Sequence, residues 1–220
     1  MIKVVISGYG RMGHMIEAEL KRRSVELVMA SEDICSVPED VARECVCIDF
    51  TWPDAFRANY EFIARHFKAA VVGTTGWKDI EPQVIKAFED AGTTLIYTSN
   101  FSLGVNALFA AVTRVSGLLK GAGYVPTIEE IHHIHKLNAP SGTAIMLGDM
   151  IEEGLGVKPE ITSVREGEVP GIHTVTLQSE VDKLTFSHEA FSRECLARGA
   201  VVAALMTEGL SGVHKFSDLL

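Results

Sequence analysis

Short apolar segments alternate with amphipathic segments along the first half of the chain. The apolar segments predict five strands, at residues 2–7, 25–30, 45–48, 69–72 and 93–97. Helical spacing predicts helices between them, at residues 12–23, 54–66 and 81–91, with Pro53 suited to the first turn of the second. Strands that are apolar throughout and alternate with helices are typical of a parallel sheet with both faces covered. The expected fold class is therefore α/β, with an N-terminal Rossmann-type parallel sheet.

The pattern changes after Asn100. A long apolar helix is predicted at residues 105–119, a strand at 127–134 and a helix at 141–153. Apolar and polar residues then alternate from Ile161, most clearly at 173–178 and 183–188, with a hairpin turn at 179–182 and a last helix at 191–206. Such alternation favours an antiparallel sheet with one face in solvent or covered by a partner. The change near residue 102 thus predicts a second, α+β domain that carries an open mixed or antiparallel sheet.

The composition and charge exclude several classes of protein. The chain has 220 residues, of which 47% are hydrophobic and 22% charged, so it can bury a core. Its formal net charge of −9 argues against a nucleic-acid partner, but a local cationic pocket for an anion is compatible with it. No apolar run reaches the roughly 18 residues that span a bilayer, and the first six residues do not resemble a signal peptide. We expect no membrane partner.

The four cysteines are Cys35, Cys45, Cys47 and Cys195, and none belongs to a Cys-x-x-Cys pair. Cys45 and Cys47 lie two residues apart in an apolar strand, which places both on one face. Buried free thiols explain this spacing better than a metal site or a disulfide. We therefore expect a cytoplasmic protein with reduced cysteines and no metal.

A G-x-G-x-x-G motif lies between the first predicted strand and the first predicted helix. Its residues are Gly8, Tyr9, Gly10, Arg11, Met12 and Gly13. In a dinucleotide-binding turn the first glycine allows the tight turn, the second lets the backbone approach a pyrophosphate, and the third packs the helix on the strand. The helix N-terminus then offers N–H groups to the phosphates. The alternative is a plain glycine turn in an ordinary α/β protein.

An acidic residue at the end of the second strand supports the dinucleotide interpretation. Glu32 lies 19 positions beyond Gly13, where such folds bind the adenosine ribose hydroxyls with a carboxylate. We prefer Glu32 to the adjacent Asp33 for this role. Since no arginine or lysine lies close by to bind a 2′-phosphate, we expect the cofactor to be NADH in preference to NADPH.

Two later loops follow predicted strands at the edge where ligands of open α/β sheets bind. The first contains Gly73, Thr74, Thr75 and Gly76, and the second contains Thr98, Ser99, Asn100 and Phe101. Their small and hydroxyl side chains suit a nicotinamide ribose and carboxamide. A plain loop is an equally good interpretation of each tetrapeptide taken alone.

Three of the eight histidines, His132, His133 and His135, are followed directly by Lys136. In a strand, His133 and His135 would share one face, and His132 would lie on the other. Histidine titrates near neutral pH and lysine is a cation and proton donor, so the segment predicts an anion-binding and proton-transfer site. A metal site fits contiguous histidines poorly, and a surface charge cluster is the plain alternative.

A helix start follows this segment. Ser141 is a suitable N-cap, and the N–H groups of Gly142 and Thr143 could hold a carboxylate. Together with a nicotinamide cofactor, these residues predict hydride transfer coupled to protonation of a small anionic substrate.

The sequence resembles the 4-hydroxy-tetrahydrodipicolinate reductase (dihydrodipicolinate reductase) family over essentially its whole length. Residues 130–144 match the family pattern E-x-H-H-x-x-K-x-D-A-P-S-G-T-A, except that Asn138 replaces the aspartate. Four further family motifs occur in order, and these are G-R-M-G, G-T-T-G, N-F-S-x-G-V-N at 100–106 and H-x-A-x-S-R at 188–193.

The resemblance implies a domain plan and a reaction. Residues 1–102 with 190–220 would form the dinucleotide-binding domain, and residues 103–189 the domain for substrate binding and assembly into a homotetramer. The family uses NAD(P)H to reduce a cyclic imine dicarboxylate, with loss of water, to tetrahydrodipicolinate in the diaminopimelate route to lysine.

The resemblance also implies roles for individual residues. His132 would be the general acid or base and Lys136 the proton donor. The substrate carboxylates would be bound by His133, Ser141, Gly142 and Thr143. The cofactor would be lined by residues 8–13, Glu32, residues 73–75 and residues 98–101.

The chain departs from the family at Asn138, in a glycine turn one residue shorter than G-x-x-G-R-M-G, and in a shortened segment between Glu32 and Cys45. Two other functions remain open on the sequence, a related diamino-acid dehydrogenase and a non-catalytic dinucleotide sensor.

Overall fold

The computed structural model describes residues 2–220, which divide into two compact units. The first unit comprises the residues up to Ser102 together with Glu194–Leu220, and the second comprises Leu103–Arg193. Elements are numbered along the chain, and the two units are described separately.

Ten strands and seven α-helices form within residues 2–220. The strands are β1 (Lys3–Ser7), β2 (Glu26–Ser31), β3 (Cys45–Asp49), β4 (Ala69–Val72), β5 (Thr94–Tyr97), β6 (Val125–His132), β7 (Glu160–Arg165), β8 (Gly171–Gln178), β9 (Lys183–Ala190) and β10 (Val213–Lys215). The helices are α1 (Arg11–Arg22), α2 (Glu39–Ala42), α3 (Pro53–His66), α4 (Glu81–Ala91), α5 (Leu103–Leu118), α6 (Gly142–Leu155) and α7 (Glu194–Met206).

The first unit contains a six-stranded sheet in the order β10-β5-β4-β3-β1-β2, in which every pair is parallel. The expected Rossmann-type sheet is thereby confirmed. β3, β4 and β5 are buried at every position, as the wholly apolar runs predicted. β2 is the edge strand and is partly exposed, with Val28 and Met29 each more than a third exposed. The sequence analysis did not predict β10 or α2, because three or four residues are too few to show a hydrophobic period.

The second unit contains a four-stranded sheet in the order β7-β6-β8-β9. The β6–β8 and β8–β9 pairs are antiparallel, whereas β6 and β7 are parallel, so the sheet is mixed. The parallel pair arises because α6 connects β6 to β7, and a helical crossover returns the chain in the same direction. Helices α5 and α6 contribute to a core with one face of this sheet, including Ile128, Val175 and Leu177.

Two boundaries in the second unit bear on the site. The strand predicted at 127–134 ends at His132, so the prediction that His133 and His135 share a strand face is wrong. Beyond His132 the chain turns, and the Lys136 N–H donates to the His133 carbonyl at 3.1 Å. At the other end, β9 continues to Ala190 and α7 begins at Glu194.

Candidate active site

The glycine turn of the first unit joins β1 to α1. Gly8 has a φ of +86°, and a Cβ there would lie 2.8 Å from the Phe50 carbonyl oxygen. A Cβ on Gly13 would lie 2.5 Å from the Gly8 carbonyl oxygen. Both glycines are therefore required by the protein's own backbone. A Cβ on Gly10 would meet nothing within 4 Å, so the backbone at the start of α1 faces open space, which fits the approach of a pyrophosphate.

Glu32 lies beside this turn. Its Oε1 accepts a hydrogen bond of 3.1 Å from the backbone N–H of Tyr9. The adjacent Asp33 instead accepts from the N–H of Cys35 and caps a short 3-10 helix. The structure thus places the predicted ribose-binding carboxylate next to the predicted phosphate-binding turn. Of the two remaining residues of the motif, Arg11 is exposed and Met12 is half-buried.

A buried carboxylate, which the sequence analysis missed, lies at the ends of three strands of the first unit. Asp49 is fully buried and accepts hydrogen bonds from Ser7 Oγ at 2.7 Å, Thr74 Oγ1 at 2.5 Å and Thr51 Oγ1 at 3.1 Å. Burial raises the pKa of Asp49, and the three hydroxyl donors act against this effect. The sequence did offer a signal for Asp49, because it is an acidic residue directly after the apolar run at residues 45–48.

In the two loops predicted to line the nicotinamide, some polar groups already form hydrogen bonds within the protein. The Thr74 hydroxyl is bonded to Asp49 and also accepts the N–H of Thr51 at 2.7 Å, whereas Thr75 is exposed. In the second loop, Thr98 Oγ1 accepts the Asn100 N–H at 3.1 Å. Gly73 and Ser99 complete the two loops, half-buried and exposed respectively.

Phe101 differs from the other predicted loop residues. Its side chain is 1% exposed, and its ring centroid lies 5.0 Å from that of Phe216 and 5.9 Å from that of Phe50. Its ring is therefore part of the core of the first unit.

In the second unit, Glu130 is a fully buried carboxylate on β6. It accepts from Arg165 Nη2 at 2.9 Å, from the Ser141 N–H at 3.2 Å, and from Nδ1 of His132 in a short hydrogen bond. Burial raises the pKa of Glu130, but hydrogen bonds from Arg165, Ser163 and His132 outweigh it and hold this pKa at about 2. Glu130 is therefore ionised at neutral pH.

His132 ends β6 with its side chain almost buried. Burial lowers the pKa of His132, and the bond to Glu130 partly offsets this effect. Because a carboxylate accepts at Nδ1, the imidazole carries its hydrogen there and presents Nε2 as the nitrogen that can exchange a proton. Gly171 leaves room for this atom, since a Cβ there would lie 2.9 Å from Nε2.

His173 on β8 is a second buried histidine, and the sequence analysis did not select it. Its ring centroid lies 5.0 Å from that of His132, and its Nε2 lies 3.0 Å from Ser141 Oγ. Burial lowers the pKa of His173 to about 4, so the ring is neutral at physiological pH. A histidine on the inward face of a strand with alternating residues was the signal that could have found it.

The remaining predicted residues of the second unit surround the turn and the start of α6. Ser141 is the N-cap of α6 as predicted, with Oγ accepting the Ala144 N–H at 3.2 Å. Gly142 and Thr143 form the first turn of α6, directly after the Ser141 N-cap. His133 is half-buried, and within residues 2–220 its Nδ1 has no hydrogen-bond partner.

Lys136 is half-buried in the turn after β6. Its ammonium forms no ion pair within the described part of the chain, so it remains available to an anion. The structure thus brings together His132, Lys136 and the start of α6 in one unit. Glu130 connects them by accepting hydrogen bonds from His132 and from the Ser141 N–H.

Two further features of residues 2–220 bear on a metal site and on membrane insertion. Three or more His, Cys, Asp or Glu side chains are nowhere grouped so as to hold a metal ion. Among these residues, moreover, every helix is too short or too polar to cross a bilayer.

Comparison with known proteins assigns both halves of the chain to one family. Residues 2–101 match the family profile described as "Dihydrodipicolinate reductase, N-terminus", and residues 104–220 match "Dihydrodipicolinate reductase, C-terminus". A 4-hydroxy-tetrahydrodipicolinate reductase of Christiangramia forsetii is 37% identical over 233 aligned positions, covering 100% of this chain and 98% of the relative. One of Methanopyrus kandleri is 38% identical, covering 80% of this chain and 70% of the relative.

Solved structures show the same fold. A dipicolinate-bound dihydrodipicolinate reductase from Paenisporosarcina superposes with a TM-score of 0.84 at 20% identity, covering 100% of both chains. The C. glutamicum DAP dehydrogenase is less similar, with a TM-score of 0.58 at 12% identity, covering 99% of this chain and 93% of that one. The two profile matches and the full-length relative show that the chain belongs to the dihydrodipicolinate reductase family.

Proposed function

We propose that this protein is a 4-hydroxy-tetrahydrodipicolinate reductase, an NAD(P)H-dependent oxidoreductase in the diaminopimelate route of lysine biosynthesis. The observation that carries the proposal is the His132–Glu130 pair, which lies in the same unit as Lys136 and the N-terminus of α6. This combination supplies a proton-exchanging imidazole, a cationic proton donor and backbone N–H groups for a carboxylate. Full-length relatives that carry this activity support the assignment.

The first unit supplies the residues that would hold NAD(P)H. The open backbone at Gly10 and the N-terminus of α1 suit the pyrophosphate, and the Glu32 carboxylate suits the ribose hydroxyls. Residues 73–75 and 98–101 would line the nicotinamide end, with Thr74 and Phe101 contributing mainly through their backbones because their side chains are used internally. NAD(P)H supplies the hydride when bound.

We further propose that NADH is preferred to NADPH. A carboxylate beside the ribose accepts hydrogen bonds from two hydroxyls but repels a 2′-phosphate. Titration of the two reduced cofactors, followed by their fluorescence, measures this preference directly. Tighter binding of NADPH would contradict it.

The second unit supplies the residues for the dicarboxylate substrate. Gly142, Thr143 and His133 are proposed to bind its carboxylates, with Ser141 holding the helix start in place. Lys136 would donate the proton that the ring gains on reduction, and its charge would attract the anion. His132 would act as general acid or base through Nε2, since Nδ1 is occupied by Glu130.

Assembly and location are extensions of the same proposal. We propose a homotetramer formed through the outer face of the four-stranded sheet, where Thr127, Thr174 and Thr176 are partly or fully exposed. Light scattering tests the stoichiometry. The four free cysteines agree with a cytoplasmic protein.

A steady-state assay tests the function. The condensation product of pyruvate and aspartate semialdehyde is supplied with NADH, and absorbance of the reduced cofactor is followed. Oxidation of NADH that depends on both enzyme and substrate is expected. Binding of NADH without turnover would instead indicate a dinucleotide sensor, and turnover only with a diamino acid and oxidised cofactor would indicate a dehydrogenase.

A further inference from the structure

Arg165, at the end of β7, uses every N–H of its guanidinium in contacts within the second unit. Nη2 and Nη1 donate to the two oxygens of Glu130 at 2.9 and 3.1 Å. Nη1 also donates to the Val164 carbonyl at 2.8 Å. Nε donates to the Lys136 carbonyl at 3.2 Å, and Nη2 to the Asn138 carbonyl at 2.6 Å. Five bonds match the five donors that an arginine side chain has.

We propose that Arg165 is a positioning residue for the reduction, which sets both the tautomer of His132 and the backbone position of Lys136. It acts on His132 through Glu130 and on Lys136 through two carbonyl groups of the turn. The inference rests on the proposed function for its catalytic meaning, although the contacts themselves are independent of it.

The first effect is electrostatic. Glu130 is 0% exposed, and a buried carboxylate without a cation takes up a proton. Arg165 keeps it ionised, so that it accepts the Nδ1 hydrogen of His132 and leaves Nε2 as the nitrogen that exchanges a proton. A protonated Glu130 would have one oxygen less to accept with and would no longer select this tautomer.

The charges around His132 come from every element that packs against it. Glu130 lies on the same strand, Arg165 on β7 and His173 on β8, with His188 on β9 acting on His173, and Lys136 in the turn. His173 is neutral, so Arg165 and Glu130 balance each other. Lys136 is left as the excess positive charge at the site.

The second effect is geometric. The carbonyls of Lys136 and Asn138 lie on either side of Leu137, and one guanidinium holds both. A lysine ammonium has no rigid fork and could not bridge a carboxylate and two carbonyls in this way. Because Arg165 binds the Asn138 backbone, the replacement of the family's usual aspartate by asparagine leaves this contact intact.

The test compares Arg165→Met and Arg165→Lys with a matched surface control, Arg114→Met on the exposed side of α5. Arg165→Met should lower kcat by about 100-fold, with the NADH Kd unchanged, because a misplaced proton donor costs roughly that factor. Loss of the cation should let Glu130 take up a proton. Because the ionised Glu130 raises the pKa of His132, the titration midpoint of His132 should then move downward, both in the kcat/KM profile and by NMR of 15N-histidine-labelled protein. Arg114→Met should match the wild type in kcat, in the NADH Kd and in the His132 titration midpoint.

Arg165→Lys separates the two effects. It should keep the His132 midpoint near that of the wild type but leave kcat about tenfold lower, because the charge is restored and the fork is not. A wild-type kcat in Arg165→Lys, or an unchanged midpoint and kcat in a folded Arg165→Met protein of lower Tm, would overturn the proposal. If Arg165→Met does not fold, kcat of Arg165→Lys decides alone.

The NMR readout keeps this test separate from the proposed function. If the wild type fails to oxidise NADH with the condensation product, the proposed function fails. The effect of Arg165 on the tautomer and titration of His132 is still measured in that case.

Discussion

The Oγ1 hydroxyl of Thr74 donates a 2.5 Å hydrogen bond to Oδ1 of Asp49, which joins the loop after β4 to the end of β3. Ser7, at the end of β1, donates to the other oxygen of the same carboxylate at 2.7 Å. Asp49 therefore holds together three strand ends at the edge of the sheet where the glycine turn lies.

Replacing Asp49 should separate the role of its oxygens from that of its charge. Asp49→Ala leaves buried hydroxyls without their acceptor and should lower the free energy of unfolding by about 3 kcal/mol. Asp49→Asn retains an acceptor oxygen and removes a buried charge, so it should cost about 1 kcal/mol or less. Urea unfolding measures both values. An equal loss in the two variants would show that the charge, rather than the hydrogen bonds, holds the loop.

Two glycines of the same turn should respond differently to alanine. Gly13→Ala forces a Cβ to 2.5 Å from the Gly8 carbonyl oxygen and should lower the free energy of unfolding by about 2 kcal/mol. Gly10→Ala has open space and should change it by less than about 0.5 kcal/mol, yet weaken NADH binding about tenfold by blocking the pyrophosphate.

Gly117→Ala on α5 is the control for alanine in open space, and it should leave NADH affinity unchanged. Urea unfolding and fluorescence titration of NADH give the two readouts. Normal NADH affinity in Gly10→Ala would place the cofactor elsewhere.

Lys136→Ala should lower turnover by about 1,000-fold, because it removes the proposed proton donor. NADH affinity should stay within about twofold, since the proposed cofactor residues lie in the other unit. Lys158→Ala, at an exposed position of the second unit, is the matched control and should behave as the wild type. A large loss of NADH binding in Lys136→Ala would contradict the assigned role.

His173 should make the protein less stable as the pH falls. Its pKa of about 4 lies below the ordinary value of 6.5, so the unfolded chain takes up a proton that the folded chain does not. Stability from this group is complete above pH 6.5 and is lost as the pH falls towards 4. Between about pH 7.5 and about pH 5 the loss should be about 2 kcal/mol.

His173→Gln removes this titrating group. Over the same pH interval, its free energy of unfolding should therefore fall by about 2 kcal/mol less than that of the wild type. His14→Gln, at an exposed position of α1, serves as control and should follow the wild type. Urea unfolding at both pH values gives the comparison. Equal pH dependence of the wild type and His173→Gln would mean that His173 titrates normally.

The sequence by itself determined the elements whose signal is local. The runs at β3 and β4 are apolar because both faces of a parallel sheet are covered, and the helices α3 and α4 follow from helical spacing and an early proline. The turn at residues 8–13 was recognisable because its glycines occur at a fixed spacing within six consecutive residues. His132 and Lys136 were identifiable as chemistry because they are contiguous.

Only the tertiary structure decided the contacts between residues far apart in the chain. Asp49 and Thr74 are 25 positions apart, and Glu130 and Arg165 are 35 apart. No hydrophobic period links such pairs, because strand order and direction bring them together. The parallel pairing of β7 with β6, which places Arg165 beside Glu130, depends on the crossover through α6, and period-two alternation is the same in either direction.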